Sequence, residues 1–134
     1  MFSFLSRICL AVIFILGGYH AFTEPGQRHK RLPNVGLPES EELVKANAAI
    51  MMGGGALLAL GIMPRIASLV LIGSLLPTTL AGHPFWKETE KASRENQQIQ
   101  FAKNLGLLGG LLLVIAEQNN KKKSKAQVKL IEIS

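Results

Sequence analysis

Four apolar stretches, each close to the length of a membrane span, dominate the pattern of hydrophobic and polar positions along this chain. They cover residues 4–22, 46–63, 66–82 and 101–116, and short charged segments separate them. An α-helix needs about 20 mostly apolar residues to cross the hydrocarbon core of a bilayer, with about 17 as the lower limit. The rest of this 134-residue chain is too short to shield four such helices from water. The pattern therefore predicts an all-α integral membrane protein, a bundle of four transmembrane helices.

Small residues recur at four-residue spacing within the apolar stretches. In lipid, helices associate through close backbone packing, which small residues one turn apart permit. We therefore predict a tightly packed bundle, and the same pattern is compatible with a homo-oligomer. The pairs are Gly17 and Ala21, Ala49 and Gly53, Gly55 and Ala59, Thr78 and Gly82, and Gly106 and Gly110.

Basic residues lie at both ends of the predicted bundle, and their densest cluster is close to the C-terminus. The chain has 15 Lys and Arg against nine Asp and Glu, a net charge of +6, and five of the lysines fall within 121–129. A basic cluster beside a membrane span is typical of the cytoplasmic side and of contact with anionic lipid headgroups. This placement argues against nucleic acid as a partner and predicts that both termini are cytoplasmic.

The segments outside the spans give the predicted domain organisation. Residues 1–117 are predicted to form one membrane domain, and residues 118–134 a basic, disordered C-terminal tail. Within that tail, residues 127–133 alternate polar and apolar as a short strand does, although a single strand is not stable alone. The first half of the loop at 23–45 is rich in Pro and Gly and is predicted to be irregular. Ser40, followed by two glutamates, predicts the N-cap of the second helix.

Three side chains are predicted to anchor the bundle at the membrane–water interface. Arg7 begins the first span, and its long side chain can extend to the headgroups. Arg65 belongs to the short connection between the second and third spans. Trp86 follows the third span, and tryptophan is common at this depth.

The alternating direction of the four spans brings dispersed polar residues to the non-cytoplasmic side. Polar groups at this depth usually face the bundle or a watery cavity, and ionisable ones are functional candidates. Histidine can carry a proton near neutral pH or hydrogen-bond a quinone carbonyl. Alternatively, these residues merely lie at the interface, with Lys103 reaching the headgroups. Two histidines are too few ligands to predict a metal site. The candidate pocket consists of His20, Asn47, His83, Gln100, Lys103 and Asn104.

Motifs in three parts of the chain resemble those of the DoxX family. The first resembles the first helix of that family, the second its second helix and turn, and the third its histidine–aromatic motif and following helix. The resemblance extends over about residues 4–117. The motifs are RICLAVIF at 7–14 with GGYH at 17–20, GG at 53–54 with LGI at 60–62 and PR at 64–65, and HPFW at 83–86 with QFAKNL at 100–105 and LGG at 108–110.

The resemblance implies a multi-pass protein of the bacterial plasma membrane. The family takes its name from a subunit associated with thiosulfate:quinone oxidoreduction, which implies a membrane subunit of a quinone- or sulfur-linked oxidoreductase complex. It also implies sulfurtransferase or superoxide-detoxifying enzymes as partners. Because the chain has no flavin, haem or iron–sulfur motif, we expect no intrinsic cofactor, and electrons would pass through a bound quinone or a partner's cofactor.

Two other functions stay open beside the oxidoreductase subunit. One is a non-catalytic scaffold or assembly factor, in which the charged loops dock partners and the polar residues are only interfacial. The other is a small lipid-binding or transport protein. Against transport, four short spans leave little room for a pathway, and the chain has no evident inverted repeat. The sequence does not decide whether the protein is an enzyme.

Overall fold

The computed structural model describes residues 2–134, which contain four α-helices and two short 3₁₀ helices. All four α-helices are long and apolar enough to cross a membrane. This confirms the predicted all-α bundle of four transmembrane helices. The α-helices are α1 (Phe2–Thr23), α2 (Glu41–Leu60), α3 (Pro64–Gly82) and α4 (Lys91–Ile133), and the 3₁₀ helices cover Arg28–Val35 and Phe85–Lys87.

Glycines let α1 and α2 approach each other closely. A Cβ atom at Gly18 would lie 2.7 Å from the carbonyl oxygen of Ala48, and one at Gly55 would lie 2.8 Å from the Ile15 side chain. A larger residue therefore does not fit at either position without a shift of the backbone or of its neighbours. Because the end of α1 meets the start of α2, the two helices are antiparallel.

The other helix pairs complete an antiparallel bundle with a shared core. Gly54 of α2 packs against Leu71 of α3, and Gly110 of α4 packs against Leu10 of α1. Every α-helix contributes side chains to the buried core, so all four helices form one packing unit. The core residues are Ala11, Phe14, Leu58, Ala67, Leu71, Leu75, Leu111 and Val114.

Local chemistry fixes both ends of α2. The hydroxyl of Ser40 accepts a hydrogen bond from the backbone N–H of Leu43 at 3.3 Å, which confirms the predicted N-cap. At the other end, Gly61 adopts the left-handed conformation with a φ of 71°. This conformation is easily available to glycine and ends the helix. Pro64 then starts α3, so the turn between the two spans is very short.

The C-terminal helix α4 is much longer than its membrane span. Its 43 residues extend over about 65 Å, roughly twice the thickness of the hydrocarbon core. The tail predicted to be disordered at 118–134 is helical through Ile133, and the strand-like alternation at 127–133 lies in the same helix. The physical reason is local: after Gly110 the segment has no Gly or Pro, and good helix formers predominate. A 2.8 Å ion pair between Glu117 and Lys121, one turn apart, supports the start of this extension.

The loop between α1 and α2 is more ordered than its composition predicts. Residues Arg28–Val35 form a 3₁₀ helix that lies against the end of α3. Arg31 donates a hydrogen bond to the Gly82 carbonyl at 2.7 Å, and Asn34 donates one to the Ala81 carbonyl at 3.3 Å. The last carbonyls of a helix lack intrahelical partners and carry partial negative charge. These two side chains therefore cap α3 and hold the loop over that end of the bundle.

Candidate functional site

A groove of about 680 Å³ opens at the end of the bundle where α1 and α3 finish and α2 begins. Its walls come from these three helices and from the 3₁₀ helix Arg28–Val35. Small-molecule sites in proteins are typically concave, mostly apolar and of this size, with a few polar groups that orient the ligand. The apolar side chains of this groove form most of its lining. The polar ones are Gln27, Arg28, Arg31, Asn47, Thr78 and His83.

Asn47 is held in the groove by hydrogen bonds to α3. The Ser74 hydroxyl donates to its side-chain oxygen at 2.8 Å, and its amide nitrogen donates to the Thr78 hydroxyl at 3.1 Å. Thr78 in turn donates to the backbone carbonyl of Ser74 at 2.7 Å. Ser74 and Thr78 are one helical turn apart, so both face the same residue of α2. The network fixes the orientation of the Asn47 amide.

His83 lies directly after α3 and is also held in place. Its Nδ1 atom is 2.7 Å from the side-chain oxygen of Gln97 on α4. The contact involves only this ring nitrogen, so Nε2 has no hydrogen-bond partner within residues 2–134 and is available to a ligand. The ring is half-buried and contributes to the groove lining. An imidazole held in this way can form a hydrogen bond to a ligand in the groove.

Arg28 and Arg31 also line the groove, although the sequence pattern alone did not indicate them. A 3₁₀ helix has three residues per turn, so residues 28, 31 and 34 lie on one side of it. Arg28 donates to the backbone carbonyls of Glu24 and Pro25, and Arg31 donates to that of Gly82. A guanidinium has five N–H donors, so each retains donors for a ligand. The three-residue spacing of Arg28 and Arg31 could have indicated one face of a 3₁₀ helix, but the surrounding Pro and Gly predicted an irregular loop.

The remaining predicted pocket residues lie outside the groove. His20 is exposed and stacks edge-on with Tyr19, with a ring-centroid distance of 5.9 Å. Lys103 is exposed on α4 and donates to the Gln100 side chain at 2.6 Å. Asn104 is buried between helices and donates to the Thr79 hydroxyl at 2.9 Å. Of the six predicted pocket residues, the structure therefore places Asn47 and His83 at the groove and the other four outside it.

The predicted interface anchors have different surroundings. Trp86 is half-exposed and packs edge-on against Phe85 and Phe101, with centroid distances of 5.3 and 6.0 Å. It thus joins the 3₁₀ helix Phe85–Lys87 to α4. At the opposite end of the bundle, Arg7 donates to Ser3 at 3.0 Å and its guanidinium packs against Gly61. Arg65 is exposed beside α4.

Comparison with known proteins places the chain in a family. The sequence model of the DoxX family matches residues 2–84. This range contains α1, α2 and α3 and every polar residue that lines the groove. The helix motif at 100–110 lies beyond the match. No curated protein and no solved structure matches the chain. Since the match covers more than half of the sequence, the chain belongs to the DoxX family.

Proposed function

We propose that this protein is a membrane subunit of a quinone- or sulfur-linked oxidoreductase complex in a bacterial plasma membrane, and that its groove holds a quinone headgroup. One observation carries the proposal: the groove combines an apolar wall with hydrogen-bonding groups from three separate elements. Arg31 comes from the 3₁₀ helix, Asn47 from α2 and His83 from the end of α3. A quinone headgroup is an apolar ring with two carbonyl acceptors, which matches this combination.

The proposed chemistry divides the reaction between this chain and a partner enzyme. Reduction of a quinone to its quinol takes two electrons and two protons. The electrons come from the cofactor of a partner, for which sulfurtransferase and superoxide-detoxifying enzymes are the proposed classes. One proton reaches the quinone from Nε2 of the His83 ring, which Gln97 holds in place through Nδ1, and the ring is then reprotonated from water. The second proton comes from water at the mouth of the groove. Arg31 positions one carbonyl oxygen with its remaining N–H donors. Asn47 donates to the other with the amide N–H that otherwise makes only a weak 3.7 Å contact to the sulfur of Met51.

Filling the groove is expected to weaken quinone binding. Ala46 is exposed and lines the groove, so Ala46→Phe places an aromatic ring in the ligand volume. Ala102 is also exposed but lies on α4 outside the groove, so Ala102→Phe is a matched control. For a short-chain quinone titrated into protein in nanodiscs, we expect Kd to rise at least about tenfold for Ala46→Phe, roughly 1.4 kcal/mol. The control should stay close to the unsubstituted protein. Equal affinities in all three proteins would contradict the groove assignment.

The orientation that goes with this proposal has both termini in the cytoplasm, because the lysines at 121–129 follow the last span. Single cysteines introduced at Thr89 or Ser134 in a Cys9→Ser background test it. We expect a membrane-impermeant maleimide to label the Thr89→Cys protein in intact cells. The Ser134→Cys protein should react only after permeabilisation, and the opposite pattern reverses the orientation.

A non-catalytic scaffold is the second candidate function, and the extension of α4 favours it. Residues 118–133 continue the helix beyond the span, and from residue 120 onward their side chains are exposed, including those of Leu130 and Ile131. An exposed helix of this kind offers a surface for docking a partner protein. In this function the partner protein binds the helix, and no quinone is needed in the groove. A native complex that contains a partner protein but no quinone would therefore favour the scaffold.

A further inference from the structure

A second cavity lies at the opposite end of the bundle from the groove. It has a volume of about 330 Å³ and lies between the start of α3 and the end of the α4 span. Two basic side chains from different helices, Arg65 and Lys122, line it together with the amides of Gln118 and Asn119. Met63 and Ile66 supply an apolar side. None of these residues lines the groove proposed to bind quinone.

The positive charges of this cavity have no counter-ion within residues 2–134. The ion pairs there are Lys45–Glu41, Lys91–Glu95 and Lys121–Glu117. Glu117, the acid nearest to the cavity along α4, is therefore already paired, and no acidic residue lines the cavity. Two like charges facing one cavity repel each other, and an anion between them offsets this repulsion by attracting both.

The amides beside these charges are also free to bind. The side chains of Gln118 and Asn119 are half-buried, and neither makes a hydrogen bond to another group among residues 2–134. Each carries two N–H donors. The cavity thus presents two cations and additional donors to the same space.

The depth of the cavity matches that of lipid headgroups. It lies beside the turn between α2 and α3, and the apolar stretch of α4 ends at Ala116, just before Gln118. The side chains of Met63 and Ile66 are 55% and 53% exposed next to the basic pair. A ligand at this place meets positive charge on one side and the apolar membrane on the other.

We propose that this cavity binds the phosphate-bearing headgroup of an anionic phospholipid. Arg65 and Lys122 bind the phosphate, Gln118 and Asn119 donate to its oxygens or to those of the glycerol, and Ile66 contacts an acyl chain. Basic pockets between transmembrane helices bind anionic headgroups in this way. The cavity, its uncompensated charges and its depth carry the proposal, which is independent of the ligand in the groove.

Native mass spectrometry of the full chain in detergent tests this site, with phosphatidylglycerol and phosphatidylcholine added at equal concentration. We expect phosphatidylglycerol adducts to exceed phosphatidylcholine adducts about tenfold. The double substitution Arg65→Gln with Lys122→Gln should remove this preference. Arg94→Gln with Lys129→Gln is the matched control, since it removes the same charge from exposed positions outside the cavity. The control should retain the preference.

Three outcomes would overturn the proposal. The first is an unsubstituted protein that retains both lipids equally. The second is an equal loss of phosphatidylglycerol in both double variants, which would assign the preference to net charge alone. The third is displacement of the lipid by an excess of inorganic phosphate, which would assign the cavity to a soluble anion. The cavity residues are largely exposed or half-buried, so the variants are expected to fold, and circular dichroism verifies this.

Discussion

Replacing Gly18 with alanine is expected to destabilise the protein by about 1–3 kcal/mol, the usual cost of overpacking a close contact. The added methyl group would lie 2.7 Å from the carbonyl oxygen of Ala48 and 2.8 Å from the Met52 side chain. Met52 can move, but the Ala48 carbonyl belongs to the backbone of α2. The helices must therefore separate. The gain in helix propensity from Gly to Ala, at most about 1 kcal/mol, does not offset this separation.

The matched control for this variant is Gly53→Ala on α2. A Cβ atom at Gly53 meets nothing within 4 Å, so only the change in helix propensity applies. We expect Gly53→Ala to be neutral or to raise the Tm slightly. Thermal unfolding in detergent, followed by circular dichroism, measures both variants. Equal Tm values for the two alanine variants would contradict the close approach of α1 and α2.

The second large effect is expected from Thr79→Val, which removes the partner of a buried amide. Asn104 is only 8% exposed and donates to the Thr79 hydroxyl at 2.9 Å. Valine keeps the shape of the side chain but leaves the amide unpaired between α3 and α4. A buried unpaired polar group costs about 1–3 kcal/mol, although hydrogen bonds between membrane helices often contribute less.

A double-mutant cycle isolates this hydrogen bond by comparing the single variants Thr79→Val and Asn104→Leu with the double variant. Adding Asn104→Leu to Thr79→Val replaces both partners by apolar groups, which is often nearly neutral. We expect the double variant to be more stable than Thr79→Val alone, as measured by the unfolding midpoint in a denaturing detergent. Additive losses from the two substitutions would show that the pair does not interact.

The hydrophobic pattern predicted the helices well because length and apolar composition decide whether a segment crosses a membrane. The second helix also had a local start signal at Ser40, which the structure confirms. The extension of α4 was missed for a physical reason. A run of lysines is typical of solvated tails, but lysine is also a good helix former, and a preceding helix removes the cost of nucleation.

The candidate site was less predictable because spacing places residues at a depth but not on a face of a helix. His20 and Asn104 are at suitable depths, yet one is exposed and the other is buried against Thr79. Asn47 and His83 reach the groove because α3 and α4 supply partners for their side chains. The arginine side of the groove depends on a 3₁₀ helix that caps α3, and such tertiary contacts leave little trace in a Pro-containing loop.

We propose above all that this DoxX protein is a quinone-binding subunit of a membrane oxidoreductase complex. Purification from native membranes in mild detergent, with mass spectrometry of proteins and small molecules, tests it most directly. We expect a redox enzyme and a quinone to co-purify with the protein at near-stoichiometric yield. A redox enzyme without quinone would favour the scaffold function. Recovery of the protein alone, with phospholipid as its only small molecule, would contradict the proposal of an oxidoreductase subunit.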